Sequence, residues 1–167
     1  MIDTNIARAA SESEHPTSDA CRRLLELMIE NEHKVVLSYS QYQEWLKHNS
    51  RFTKLWLRRM ASEKLWHVLS PEPDSGLTDR THKVECSDAA RQEMLKDVHL
   101  LENALATDEI VLSLETNVFH LFCTHAQVLK ISRPVAWVSP TDAAPAGVAW
   151  VAAGADVATA RCIPAGS

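Results

Sequence analysis

The chain has 167 residues, 46% of them apolar and 23% charged, the size and balance of one globular domain with a core of its own. A net charge of −5 argues against a uniformly basic surface, the usual footprint of a nucleic-acid binder. There is no apolar run of the eighteen or more residues that would signal a membrane span, and the opening Met-Ile-Asp-Thr-Asn has neither the basic nor the apolar region of a secretory leader. Four scattered cysteines (Cys21, Cys86, Cys123 and Cys162) form no CxxC pair, which disfavours a zinc or redox motif and fits reduced thiols in the cytoplasm. The expectation is therefore a soluble cytoplasmic protein.

In chain order, Met1–Asp3 reads as the end of a very short strand, and Asp3-Thr4-Asn5 supplies good helix-capping residues. Residues 11–16 are polar and read as a loop. Ser18 or Asp19 is expected to cap a helix to about Glu32, with Cys21, Leu24, Leu25, Met28 and Ile29 at helical spacing. Val35-Val36-Leu37 is a short continuous apolar run, the mark of a buried parallel strand. Helices are expected over 39–48 and from about 51 to 64. Residues 69–86, rich in Pro, Asp, Ser and Gly, predict an irregular excursion with a brief strand at 82–86. Ser87 should cap a long helix to about Thr107, its apolar stripe formed by Met94, Val98, Leu101 and Leu105. A strand over 109–115, a helix over 116–129 and a strand over 134–139 complete the pattern. After Pro140 the chain turns to Ala, Gly and Val with three charged residues. Strands alternating with helices imply an α/β fold with a parallel sheet covered on both faces.

Open parallel sheets bind ligands at the carboxyl ends of their strands. Asp3 and Glu115 close two of the expected strands, Glu44 lies about a turn and a half into the helix after the third, and Asp97, between Met94 and Leu101, edges an apolar helix face. Taken singly, Asp3 is an ordinary cap, Glu44 and Asp97 are ordinary solvated helix residues, and Glu115 caps the next helix. Brought to one end of a sheet, the four carboxylates would repel one another and need a cation. Oxygen-only donors suit Mg2+ or Mn2+ rather than zinc. Such ions activate water and stabilise the departing oxygen of a phosphodiester.

Three segments resemble the PIN domain family. "MIDTNIARAA" is similar to its first motif, a strand ending in Asp followed by Thr or Ser and Asn. "VVLSYSQYQEW" resembles the second, a strand and Ser followed by a helix carrying Glu. "KDVHLLENALATDEIVLSLE" resembles the Asp-bearing helix and the strand with an acidic end. The resemblance covers residues 1 to about 130. It implies a three-layer α/β/α PIN-like domain with a short central parallel sheet over 1–140; the region after Pro140 lies beyond the resemblance and is read as an extension over 141–167, packed on the domain or partly flexible. It implies a metal-dependent endoribonuclease that uses Mg2+ or Mn2+, with Asp3, Glu44, Asp97 and Glu115 as catalytic metal ligands. Asn5, Thr116 and Asn117 would support them. Glu115 stands where the family usually has Asp, a longer side chain that weakens one metal position or makes it water-mediated. VapC-like members are toxins paired with antitoxin proteins, and many PIN proteins form homodimers. The alternative is a PIN-fold module that binds RNA or protein but has lost efficient cleavage. A haloacid-dehalogenase-type phosphatase ranks last, because Asn5 stands where that family has its second Asp.

From Lys47 to Lys64 six Lys or Arg residues face a single acid, Glu63, a local +5 in an acidic chain. Arg51, Lys54, Arg58 and Arg59 are therefore candidate contacts to an RNA backbone, with Phe52 and Trp56 as stacking aromatics. The competing reading places Phe52, Leu55, Trp56 and Met60 in the core and the charges in water, and for the aromatics it is preferred. The eight histidines form no ligand set: His120 and His125 are badly spaced for one helix face, and His99 is expected at the surface. HExxH, GxSxG, Walker and GxGxxG patterns are absent.

Overall fold

The computed structural model describes residues 1–143 and 146–166; Ala144, Pro145 and Ser167, all within the expected 141–167 extension, lie outside it. The fold is mixed α/β with small parallel sheets. Serine caps set the starts of three helices. Ser38 accepts from the Gln41 N–H to begin α3 (Tyr39–His48), Ser50 from Thr53 to begin α4 (Arg51–Ser62), and Ser87 from Ala90 to begin α6 (Asp88–Leu105). Asp3 likewise caps α1 (Thr4–Ala9). The second helix, α2 (Pro16–Glu30), starts earlier than expected: His15, not Ser18 or Asp19, is the cap, with Pro16 in the first turn, where its missing N–H costs nothing.

The strands are short. β1 (Val35–Ser38) pairs in parallel with β2 (Trp66–Leu69), a strand of only four residues that the sequence pattern did not reveal between α4 and the irregular loop. In the other sheet β3 (Ile110–Leu112) pairs in parallel with β4 (Val135–Val138). The first residues, expected to end a short strand, form a single bridge to β3. Ile2 bridges Leu112 in parallel, with Asp3 N–H to Leu112 O at 2.8 Å and Leu112 N–H to Met1 O at 2.9 Å. The segment read as irregular contains helix α5 (Leu77–His82), and the strand expected at 82–86 does not form: the chain there passes directly from α5 to the Ser87 cap.

Alternation along β3 and β4 feeds two cores. Leu112, Ala136 and Val138 join Ile6, Leu24, Leu25, Trp45 and Trp56 in one; Val111, Val135 and Trp137 join Met94, Leu101 and Phe122 in the other. The second core is completed by α6 and by α7 (Thr116–Leu129). Leu55 departs from its expected core position: it is 55% exposed, while Trp56 takes the buried place and donates its indole N–H to Leu25 O at 2.6 Å.

The described part of the C-terminal region is integral to both cores. It contributes α8 (Gly147–Ala152) and the antiparallel strand β5 (Cys162–Ile163), which pairs with β4. Trp150 and Val151 of α8 are buried in the first core, and Ile163 in the second. Trp150→Ala is expected to destabilise the whole fold by about 3–5 kcal/mol, the usual cost of deleting a buried aromatic. One cooperative denaturant transition with a lowered midpoint would show this; an unchanged midpoint would mean that the C-terminal region only rests on the domain.

Candidate metal centre

The residues that the sequence singled out as acidic meet around one cavity of about 180 Å³, lined by Asp3, Thr4, Asn5, Arg8, Glu44, His48, Asp97 and Glu115. Pairing of residues 1–3 with β3 fixes Asp3. Its Oδ2 accepts the hydroxyl of Ser113 at 2.6 Å, and its Oδ1 accepts the Asn5 N–H at 3.2 Å. Ser113 is fully buried and makes three contacts at once, since its oxygen also accepts from Asn5 Nδ2 at 3.2 Å and from the Glu115 N–H at 3.0 Å. Asn5 completes the clasp by accepting the Leu114 N–H through Oδ1. Asn5 thereby ties α1 to the β3–α7 connection.

Glu44 and His48 lie one turn apart on α3. The helix is held by buried Trp45, packed 5.8 Å from the Trp56 ring, and by Gln41, which donates to Ile2 O at 2.8 Å. Asp97 sits at the border of the α6 stripe, half-buried as its place between Met94 and Leu101 implies. Glu115 is the N-cap of α7, yet its side chain makes no capping hydrogen bond. Among the described residues no protein donor or ion pair engages the carboxylates of Glu44, Asp97 or Glu115.

Electrostatics follow from this crowding. Burial, then the charges of Asp3, Glu115 and Glu93, push the Asp97 carboxyl up to about 7, against the opposing influence of Lys96. Burial also raises Asp3, while the Ser113 and Asn5 hydrogen bonds and the nearby His99 hold it down. The site is thus short of positive charge. The donor chemistry fits a hard divalent cation, four carboxylates with three lacking a protein partner. The geometry is open: among the described residues no three His, Cys, Asp or Glu side chains converge closely enough to hold one ion.

Other expected site residues lie elsewhere. Thr116 and Asn117 are exposed in the first turn of α7 and do not line the cavity. Arg51, Lys54, Arg58 and Arg59 do not line it either. Arg51 lies near Glu12, Arg59 pairs with Glu63 at 2.7 Å, and Lys54 and Arg58 border a different cavity. Sequence reasoning missed Ser113, Arg8 and His48. His48 was accessible from its i,i+4 spacing to Glu44, whereas Ser113 carried no signal beyond its place two residues before Glu115. Comparison with protein-family models, curated proteins and solved structures found no match to this chain. Among the described residues no helix is long and apolar enough to cross a membrane.

Asp97 gives a signed pH dependence. Its folded carboxyl value, about 7, lies above the roughly 3.9 of an unfolded Asp, so the folded state binds the extra proton. Its contribution to stability is fully present below about pH 4 and is lost as pH rises towards 7. Asp97→Asn should therefore stabilise the metal-free protein at pH 8 by about 1–2 kcal/mol, after discounting for the solvent that reaches the group, and should have little effect near pH 4. Thermal melts in EDTA at both pH values check this; a variant no more stable at pH 8 than the parent would contradict it.

Proposed function

We propose that the chain is a three-layer α/β/α PIN-type domain over residues 1–140 that hydrolyses RNA phosphodiester bonds with a carboxylate-held Mg2+ or Mn2+ centre. One observation carries this: Asp3, Glu44, Asp97 and Glu115, from four separate segments, line a single cavity. Crowded carboxylates that no protein cation pairs with are unfavourable by themselves and become favourable around a divalent ion. Asp3 and Asp97, the most buried of the set, would be the primary ligands, with Glu44 and Glu115 closing from the rim. When bound, the ion supplies Lewis acidity to the phosphodiester and to the attacking water.

The chain's own groups supply the rest. Ser113 and Asn5 hold the Asp3 carboxylate in one orientation, so that little reorganisation is needed when substrate arrives. Arg8 and His48 sit on the cavity wall, where a cationic side chain can engage the scissile phosphate. The proposal extends to a VapC-like toxin with a separate antitoxin chain, to a homodimer, and to action in the cytoplasm. A second reading, a PIN-fold RNA- or protein-binding module with weak cleavage, is supported by the open spacing of the carboxylates and by Glu at position 115. It is distinguished by metal affinity without turnover.

The decisive experiment is cleavage of a mixed-sequence single-stranded RNA in Mn2+ or Mg2+. The parent chain should cut, EDTA should stop it, and Asp3→Asn combined with Asp97→Asn should lower the rate by at least about a hundredfold. A folded parent that cuts no RNA, or a double variant that cuts equally, would end the nuclease proposal. Ser113→Ala should lower the rate less, about tenfold, since it frees Asp3 without removing it.

A further inference from the structure

On the opposite side of α3 from the acidic cavity lies a larger one, of about 390 Å³, bounded by α3, α4 and β2 and lined in part by Tyr42, Asn49, Lys54, Arg58 and Trp66. This volume is within the range of small-ligand sites. The Tyr42 and Trp66 rings, both half-buried, lie 4.8 Å apart and tilted by 52°. Lys54 and Arg58 are exposed and, among the described residues, form no ion pair, unlike Arg59 on the same helix. The Asn49 side-chain oxygen is buried without a hydrogen-bond partner, an arrangement that costs free energy unless a donor arrives. Aromatic faces, an unsatisfied amide and two free cations in one recess are the groups that recognise a nucleobase and its phosphates.

The two cavities are joined over α3. A shallow depression lined by Gln43, Glu44, Leu46, Lys47 and His48 shares Glu44 and His48 with the acidic cavity and Leu46 with the aromatic one. Lys47, exposed on the crest, has no ion pair among the described residues. A helix is about 10–12 Å across, so a strand passing over α3 spans the distance within a few nucleotides.

We propose that the α3–α4–β2 cavity is a base-selecting subsite for single-stranded RNA, with Trp66 and Tyr42 taking one base, Asn49 reading its edge, and Lys47, Lys54 and Arg58 tracking the backbone towards the acidic cavity. The direction of the strand rests on the nuclease proposal; the binding itself does not. The local +5 of residues 47–64 thus acts beside the metal centre rather than within it.

The test is fluorescence anisotropy of labelled eight-nucleotide homopolymer RNAs with the full chain in EDTA, where nothing is cut. The parent should bind with a ranking among the four bases and a strong salt dependence. Lys54→Ala with Arg58→Ala should weaken binding to all of them and make the slope of log affinity against log salt shallower by about 1.4, two phosphate contacts on a single strand. Trp66→Leu should cost about tenfold and flatten the ranking, while Asn49→Ala, which removes the buried unpartnered oxygen without introducing a charge, should reorder the ranking in a variant that melts like the parent. No binding by the folded parent, or variants that bind with unchanged slope and ranking, would overturn the subsite. A parent that binds as described but cuts nothing in Mn2+ would retain the subsite and end the nuclease proposal. One that cuts while these variants bind and cut at the same positions would do the reverse.

Discussion

Pairing of residues 1–3 with β3 sets the Asp3, Asn5 and Glu115 side of the acidic cavity. Two backbone hydrogen bonds to Leu112 align the first residues with a strand more than a hundred positions away, and that register sets Asp3 beside Ser113. Because Ser113 is buried and its oxygen contacts Asp3, Asn5 and the Glu115 backbone together, a slip of one residue would turn its hydroxyl to the other face of the sheet and break all three contacts. The start of α1 and the start of α7 are thereby linked, each through a residue of the acidic set.

Around this clasp the chain places charge where burial makes it costly. Burial and its acidic neighbours raise the Asp97 carboxyl to about 7, so its ionised form costs stability that two well-packed cores offset. Local strain or repulsion of this kind persists when the surrounding structure over-determines it. The indole packing of Trp45 against Trp56 and the alternation of β3 and β4 residues between the cores supply that constraint.

α3 works on two sides. Buried Gln41 and Trp45 fix its rotation, which leaves Glu44 and His48 towards the acidic cavity and Tyr42 and Leu46 towards the aromatic one. An acidic chain can carry a basic strip for the same reason: charges separated by more than about 10 Å are largely screened at moderate salt, so the strip from Lys47 to Arg58 acts locally and is not cancelled by the net charge.

The sequence by itself determined the α/β alternation, most helices and the identity of the acidic residues, because apolar periodicity and serine or aspartate caps are local properties of the chain. It also showed that Glu44, Asp97 and Glu115 lie near strand ends or apolar helix borders. Tertiary structure decided what those signals could not carry. β2 is too short and too polar in its surroundings to stand out, α5 hides in a Pro- and Ser-rich stretch, and Leu55, expected in the core beside Trp56, is left exposed while Trp56 is buried against Leu25. Ser113 becomes the organiser of the site through contacts to residues about 110 positions away, and the basic residues part from the acidic cavity, Lys54 and Arg58 lining another one while Arg51 lies by Glu12 and Arg59 pairs with Glu63. Each of these depends on which distant segments meet, and periodicity along one chain contains no information about that meeting.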